Sequence, residues 1–179
     1  MSRARFTVIG GGPVGSLLAI SLARHGYAVG LYEGRPDSRQ TSIYQGRSIN
    51  IALSDRGWSS LAQIGIGDEV RQQAIPMYHR AIHGVDGELS RLPYGQEGDA
   101  IWSVSRGGIN EHLLEVAEGE AGITTHFEHR LVDIDFATAT ATFGLANSEQ
   151  RIVEADYAFG ADGAHSKVRR LAHNLPRFS

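Results

Sequence analysis

Apolar and polar positions change period abruptly at residue 10. Phe6-Thr7-Val8-Ile9 is a short apolar, β-rich run that stops at Gly10-Gly11-Gly12. From Val14 onward Leu17, Leu18, Ser21 and Leu22 recur at helical spacing, and Gly26 after His25 reads as the helix stop. Residues 28–32 form a second strand pattern closed by Glu33. Strand, glycine turn, helix and strand in about thirty residues predict a βαβ unit whose two strands are parallel.

Residues 34–50 carry no period and read as a long excursion. Ser54 is placed to cap a helix running through Leu61, and a second short helix is expected over 67–74. Residues 77–83 and 88–93 predict two strands about the turn Gly84-Val85-Asp86-Gly87, and 101–105 predicts another. Ile109, Leu113, Leu114 and Ala117 mark a helix, followed by a strand over 123–127. Alternation over 131–143 sets Val132, Ile134 and Phe136 against Asp133 and Asp135; with 151–155 it predicts an antiparallel meander. A final strand over 157–159 runs into Gly160-Ala161-Asp162-Gly163-Ala164, and a last helix from Ser166 carries Val168 and Leu171 to about His173. The expected class is α/β: a Rossmann-like FAD/NAD(P)-binding fold with a parallel central sheet and the meander inserted in it.

Composition narrows the chemistry. The chain has 179 residues, 41% hydrophobic and 21% charged, which fits one folded domain and excludes a disordered chain. It has no cysteine, so disulfides, a thiol nucleophile, an iron–sulfur cluster and a cysteine zinc site are excluded. No apolar run approaches the ~20 residues of a membrane helix. The first strand is reached by Phe6, so no signal peptide is expected and a cytoplasmic setting follows. A net charge of −3 offers no nucleic-acid footprint. Lys167 is the only lysine among 17 basic residues, and arginine suits bidentate anion contacts. The histidine pairs His79/His83 and His126/His129 lack a third ligand at metal-binding spacing, so no metal is expected. No G-x-S-x-G elbow is present, which argues against a hydrolase.

The positive signal is Gly10-x-Gly12-Pro13-Val14-Gly15 between a strand and a helix. In that context Gly10 permits the tight turn, Gly12 lets a pyrophosphate approach the backbone, and Gly15 permits close helix–strand packing. Helix N-terminal amides then face the phosphates. Glu33 lies at the end of the second strand, where a carboxylate accepts from an adenosine ribose and repels a 2′-phosphate. These residues alone leave FAD and NAD both open.

Longer stretches resemble the FAD-dependent aromatic-ring monooxygenases, and within them the kynurenine-hydroxylating branch. They include Val8 to Leu17 (VIGGGPVGSL), Tyr32-Glu33-Gly34-Arg35 and Gly46-Arg47-Ser48-Ile49-Asn50-Ile51-Ala52-Leu53-Ser54. Pro93-Tyr94-Gly95, Ser103-Val104-Ser105-Arg106, His126-Phe127-x-His129-Arg130-Leu131 and Asp162-Gly163-Ala164-x-Ser166-x-Val168-Arg169 follow in order. The resemblance implies FAD as cofactor, with NADPH as transient co-substrate, oxygen, and a small aromatic amino acid as substrate. It places Glu33 and Arg35 at the adenosine; Arg47, Ala52 and Arg106 along the flavin chain and pyrophosphate; Leu131 by the adenine; and Asp162-Gly163 near phosphate and ribose, with Tyr32 and Gly34 also in the cofactor-binding set. It assigns Arg80 and Tyr94 to the substrate carboxylate, and no side chain to catalysis proper. It implies that 1–179 is an incomplete FAD-binding domain, with parts of a substrate-binding sheet around 76–105 and the C-terminal half of the family fold absent, so activity of the 179-residue chain alone is left open. Phenol- or salicylate-type hydroxylation, an NAD-dependent dehydrogenase and a non-catalytic dinucleotide-binding module stand as alternatives.

Overall fold

The computed structural model describes residues 3–40 and 49–175. In chain order come β1 (Arg5–Ile9), α1 (Pro13–Arg24), β2 (Ala28–Tyr32), β3 (Asn50–Leu53), α2 (Asp55–Gln63) and α3 (Gly67–Gln72). Four short strands follow: β4 (Ile75–Met77), β5 (His79–His83), β6 (Leu89–Pro93) and β7 (Ile101–Ser105). Then come α4 (Arg106–Gly119), β8 (Ile123–His126), β9 (Arg130–Asp135), β10 (Thr140–Gly144), β11 (Gln150–Val153), β12 (Tyr157–Gly160) and α5 (Lys167–Ala172). The chain divides into two compact units, Met1–Arg47 with Asn110–Ser179, and Ser48–Ile109.

The first unit is built on a parallel sheet of order β12-β1-β2-β8. Phe6 pairs with Tyr157 on one side and Val29 on the other, and Tyr32 pairs with His126. The predicted βαβ unit is therefore present with parallel strands. The buried side of α1 differs from the leucine row that marks its period: Gly15, Ser16, Ala19 and Ile20 are buried, while Leu17, Leu18 and Leu22 are half-buried. Small side chains face the sheet because they let the helix axis approach it closely, which the helical period alone does not specify.

The meander is antiparallel with order β11-β10-β9, as expected, but its predicted apolar face is corrected. Val132 and Phe136 are exposed and Leu131 is buried with Ile134, because the register shifts between Thr142 and Phe143 and breaks the alternation at Val132. Its inner residues Leu131, Ile134, Ala141 and Phe143 join Ile9 and Tyr32 in one core, with Val168 and Leu171 of α5 packed on it. The Tyr32 ring is stacked between Phe143, at 4.4 Å, and His126, at 4.6 Å. Phe143 is fully buried, and burial of such a side chain stabilises by about 1.5–3 kcal/mol.

The second unit contains the antiparallel sheet β3-β7-β4 and the hairpin β5–β6. Two sequence expectations are corrected here. The single strand over 77–83 is two strands with different partners: Met77 pairs with Ile101 on β7, whereas His79 pairs with Pro93 on β6. The switch occurs at Tyr78, whose carbonyl accepts from Tyr94 N–H at 3.1 Å. Pro76 is accommodated because β4 is an edge strand. Residue 50, read as the end of the excursion, and residues 51–53, for which no element is expected, form β3; four residues give little local signal, and the pairing with β7 is non-local. Ser54 does occupy the N-cap position of α2, but its side chain makes no capping hydrogen bond.

Candidate functional site

At the carboxyl end of the parallel sheet, three turns converge. Gly10 has φ +113°, a conformation glycine adopts freely, and its N–H donates to Tyr32 O at 2.7 Å. A Cβ on Gly10 would stand 2.9 Å from Asp162 Cα and still nearer the main chain of Ala161. A Cβ on Gly15 would overlap the Gly10 carbonyl oxygen. Gly12 is different: it is the N-cap of α1 in extended conformation, and a Cβ there would meet nothing within 4 Å. The helical ladder begins with Ser16 N–H donating to Gly12 O, so the amides of Val14 and Gly15 precede it. Val14, in that first turn, is 72% exposed. An open backbone edge therefore meets the positive end of a twelve-residue helix, an arrangement suited to a phosphate.

Glu33 stands beside this turn. Its Oε2 accepts from Gly11 N–H at 2.9 Å, and its Oε1 accepts from Arg35 N–H and Nε, both at 3.0 Å. Burial pushes the Glu33 carboxyl up, but the hydrogen bonds and charge of Arg35 and the Gly11 amide outweigh it and leave the value below the usual carboxylate range. The group is a charged acceptor at neutral pH. Residues 126–129 back this corner: Glu33 N–H donates to His126 O at 2.8 Å, and His129 N–H donates to Glu33 O at 2.9 Å.

Of the sequence-derived candidates, Gly10, Gly12, Pro13, Val14, Gly15, Glu33, Gly34, Arg35, Asp162 and Gly163 lie in these converging turns. The Asp162 carboxylate is engaged with α5, accepting from Ser166 Oγ and Lys167 N–H at 2.6 Å each and from Val168 N–H at 3.1 Å. Its observed work is to set the helix start. Tyr32 and Leu131 have their side chains in the core. In the second unit Ala52 sits in β3 opposite Ser103, and Arg106 opens α4 with its N–H donating to Ile49 O. Arg47 lies outside the described residues.

Arg80 and Tyr94 are brought together. Arg80 lies on β5 and Tyr94 directly follows β6, and the Arg80 guanidinium carbon stands 5.5 Å from the Tyr94 ring centre. Arg80 is exposed and the stack is a weak cation–π contact, so its donors remain open to an anion.

The sequence reading passed over one cluster. Arg39 donates to both Asp37 carboxylate oxygens and to both Glu118 oxygens, all within 2.8–2.9 Å. Its hydrogen bonds hold the Asp37 and Glu118 carboxyls below their usual range and raise its own value further. The spacing Asp37-x-Arg39, close after Glu33, is the sequence signal that marks it.

Residues 3–175 match the protein family described as FAD binding domain. The chain is 44% identical over 176 residues to a kynurenine 3-monooxygenase of Flavobacterium johnsoniae, covering 98% of this chain and 38% of that protein. It is 42% identical over 173 residues to that of Christiangramia forsetii, covering 96% of this chain and again 38% of the relative. It thus spans well under half the length of the relatives it matches. Among solved structures, the flavin-dependent monooxygenase PieE in complex with FAD and substrate superposes with a TM-score of 0.78 at 21% identity, covering 96% of this chain and 32% of that one; this likeness is one of fold.

Proposed function

This chain belongs to the FAD binding domain family, and from that membership we propose that it holds FAD for a monooxygenase that converts L-kynurenine to 3-hydroxykynurenine, a step of tryptophan breakdown. NADPH is the transient reductant, oxygen the second substrate, and the setting cytoplasmic. Residues 1–179 form the FAD-binding domain, to which 76–105 adds part of a substrate sheet.

The observation that carries the cofactor reading is the open Gly12 edge at the start of α1, with the charged Glu33 acceptor beside it. The α1 amides and Gly12 take the pyrophosphate, Val14 lies along it, and Glu33 accepts from the adenosine ribose with Arg35 keeping it ionised. Gly34, Arg47, Ala52, Arg106, Gly163 and the Tyr32 and Leu131 positions complete the cofactor set, and Asp162 acts by holding α5 in place. Bound FAD supplies the redox chemistry that activates oxygen. The protein's own part is to fix the cofactor and to orient the ring.

Glu33→Gln is expected to weaken FAD binding by about 1–3 kcal/mol, the scale of a charged hydrogen bond, measured by titrating FAD into both proteins. The pH dependence follows from the lowered Glu33 value. A carboxyl depressed by folding adds stability that is present above the ordinary carboxylate range, near pH 4.3, and is lost as pH falls through the depressed value. The Gln variant should lack that component of the acid transition.

Support for an amino-acid substrate comes from Arg80, whose planar fork beside the Tyr94 ring suits a carboxylate. In a full-length enzyme carrying these residues, Arg80→Met should cost about 1.5–3 kcal/mol, roughly 10- to 150-fold in kynurenine affinity. FAD content should stay normal, and a ring analogue lacking the carboxylate should bind both forms alike. If the analogue suffers equally, Arg80 serves the fold; if neither ligand is affected, a phenol or another aromatic acid is the better substrate.

A further inference from the structure

Beyond β2 the chain is fastened at two places. At the first, Glu33 is bonded through its main chain to His126 and His129, and Arg35 O accepts from Glu128 N–H at 3.1 Å. At the second, Arg39 joins Asp37, which is 7% exposed, to Glu118 at the end of α4. Thr125 Oγ donates to Glu118 at 3.3 Å, and the Arg39 guanidinium carbon stands 5.7 Å from the Phe127 ring centre. A single residue, Pro36, separates the two fastenings, and its φ is locked. So short and stiff a link carries the position of one fastening to the other.

We propose that Arg39, held between Asp37 and Glu118, is a positioning residue that fixes the Glu33–Arg35 corner of the dinucleotide site. It touches neither cofactor nor substrate. Arg35 is the residue that needs the help: its guanidinium is exposed, and it reaches Glu33 only while the chain between them keeps its turn. With the second fastening gone, the segment from Glu33 to Arg39 gains freedom, and the Gly11–Glu33–Arg35 contacts loosen together. The inference rests on the reading of Glu33 as a ribose acceptor only for its consequence, not for its geometry.

The test is therefore made first without ligand. The Glu33 carboxyl is titrated by carbon NMR in this chain and in Glu118→Ala and Arg39→Met. In Glu118→Ala, loss of the anion acts through charge alone by lowering the pKa of a neighbouring carboxyl, whereas loosening Glu33 from Arg35 and Gly11 raises it, so the sign in that variant separates the two causes. In Arg39→Met both causes raise it, and that variant serves only to show that the same contacts are affected. The expected result is a rise of about half a unit or more in both variants. The Gly11 amide should exchange roughly tenfold faster. Asp135, held low by its own contacts with Ala137 and Thr138, should not move. FAD should bind about fivefold more weakly to both variants, the scale of about 1 kcal/mol.

A Glu33 value that is unchanged or lower in Glu118→Ala, with a reduced melting temperature, overturns the proposal and makes the cluster a general brace. A raised Glu33 value with unchanged FAD affinity upholds the positioning role and counts instead against Glu33 as a cofactor ligand. Should Glu118→Ala unfold, Glu118→Gln keeps one acceptor for Arg39 and is expected to give a smaller shift of the same sign.

Discussion

Gly12→Ala is expected to weaken FAD binding to this chain roughly 100-fold while leaving its melting temperature unchanged. The two halves of that result have separate physical sources. Gly12 is in extended conformation, which alanine adopts without strain, and the added methyl meets no protein atom within 4 Å. The fold therefore has no reason to object. The space the methyl enters is the space above the first turn of α1, where the pyrophosphate is proposed to lie. Pushing a phosphate back from the helix amides removes one or two charged hydrogen bonds, each worth about 1.5–3 kcal/mol, and roughly 100-fold corresponds to about 2.7 kcal/mol. Titration of FAD by fluorescence, paired with a thermal melt, measures both. Unchanged affinity would mean that no ligand approaches the backbone at Gly12.

Gly15→Val is expected to give the opposite pattern, a loss of the folded state itself. A Cβ at position 15 falls within the Gly10 carbonyl oxygen and stands 3.2 Å from Ala161 Cβ. The first clash is with main chain in the turn between β1 and α1, which cannot rotate away as a flexible side chain does. Relief requires α1 to lift from the sheet, exposing Ala19 and Ile20, both fully buried. Overpacking of this kind costs about 3 kcal/mol or more, near 10 °C in Tm for a chain of this size. A melt within a degree or two of wild type would show that the turn is looser than its contacts indicate. Two glycines of one fingerprint thus separate cleanly, one for the ligand and one for the fold.

What the sequence disclosed follows from where each signal resides. β1, α1 and β2 were legible because period, glycine turn and length agree within thirty residues. α4 was legible because its apolar row, Ile109, Leu113, Leu114 and Ala117, is also the row that is buried. The meander's strands followed from alternation, although the register shift opposite Val132 put Leu131 rather than Val132 inward, and α5 followed from Ser166, whose hydroxyl does accept from Arg169 N–H. β3 and the break at Tyr78 were not legible, because both depend on β7, some 25 to 50 positions away along the chain. The candidate site divides the same way. Residue type and spacing marked Gly10, Gly12, Gly15 and Glu33, but they could not reveal that the Asp162 carboxylate is occupied by α5. Nor could they show the Tyr32 ring stacked in the core. Arg39 escaped notice because one of its two partners, Glu118, lies far away in sequence.

The most direct test of the central claim is a competition experiment on this chain, in which bound FAD is challenged with ADP and, separately, with riboflavin. If Gly12, the α1 amides and Glu33 hold the adenosine and pyrophosphate, ADP displaces FAD and riboflavin does not. Displacement by riboflavin with none by ADP would contradict that placement.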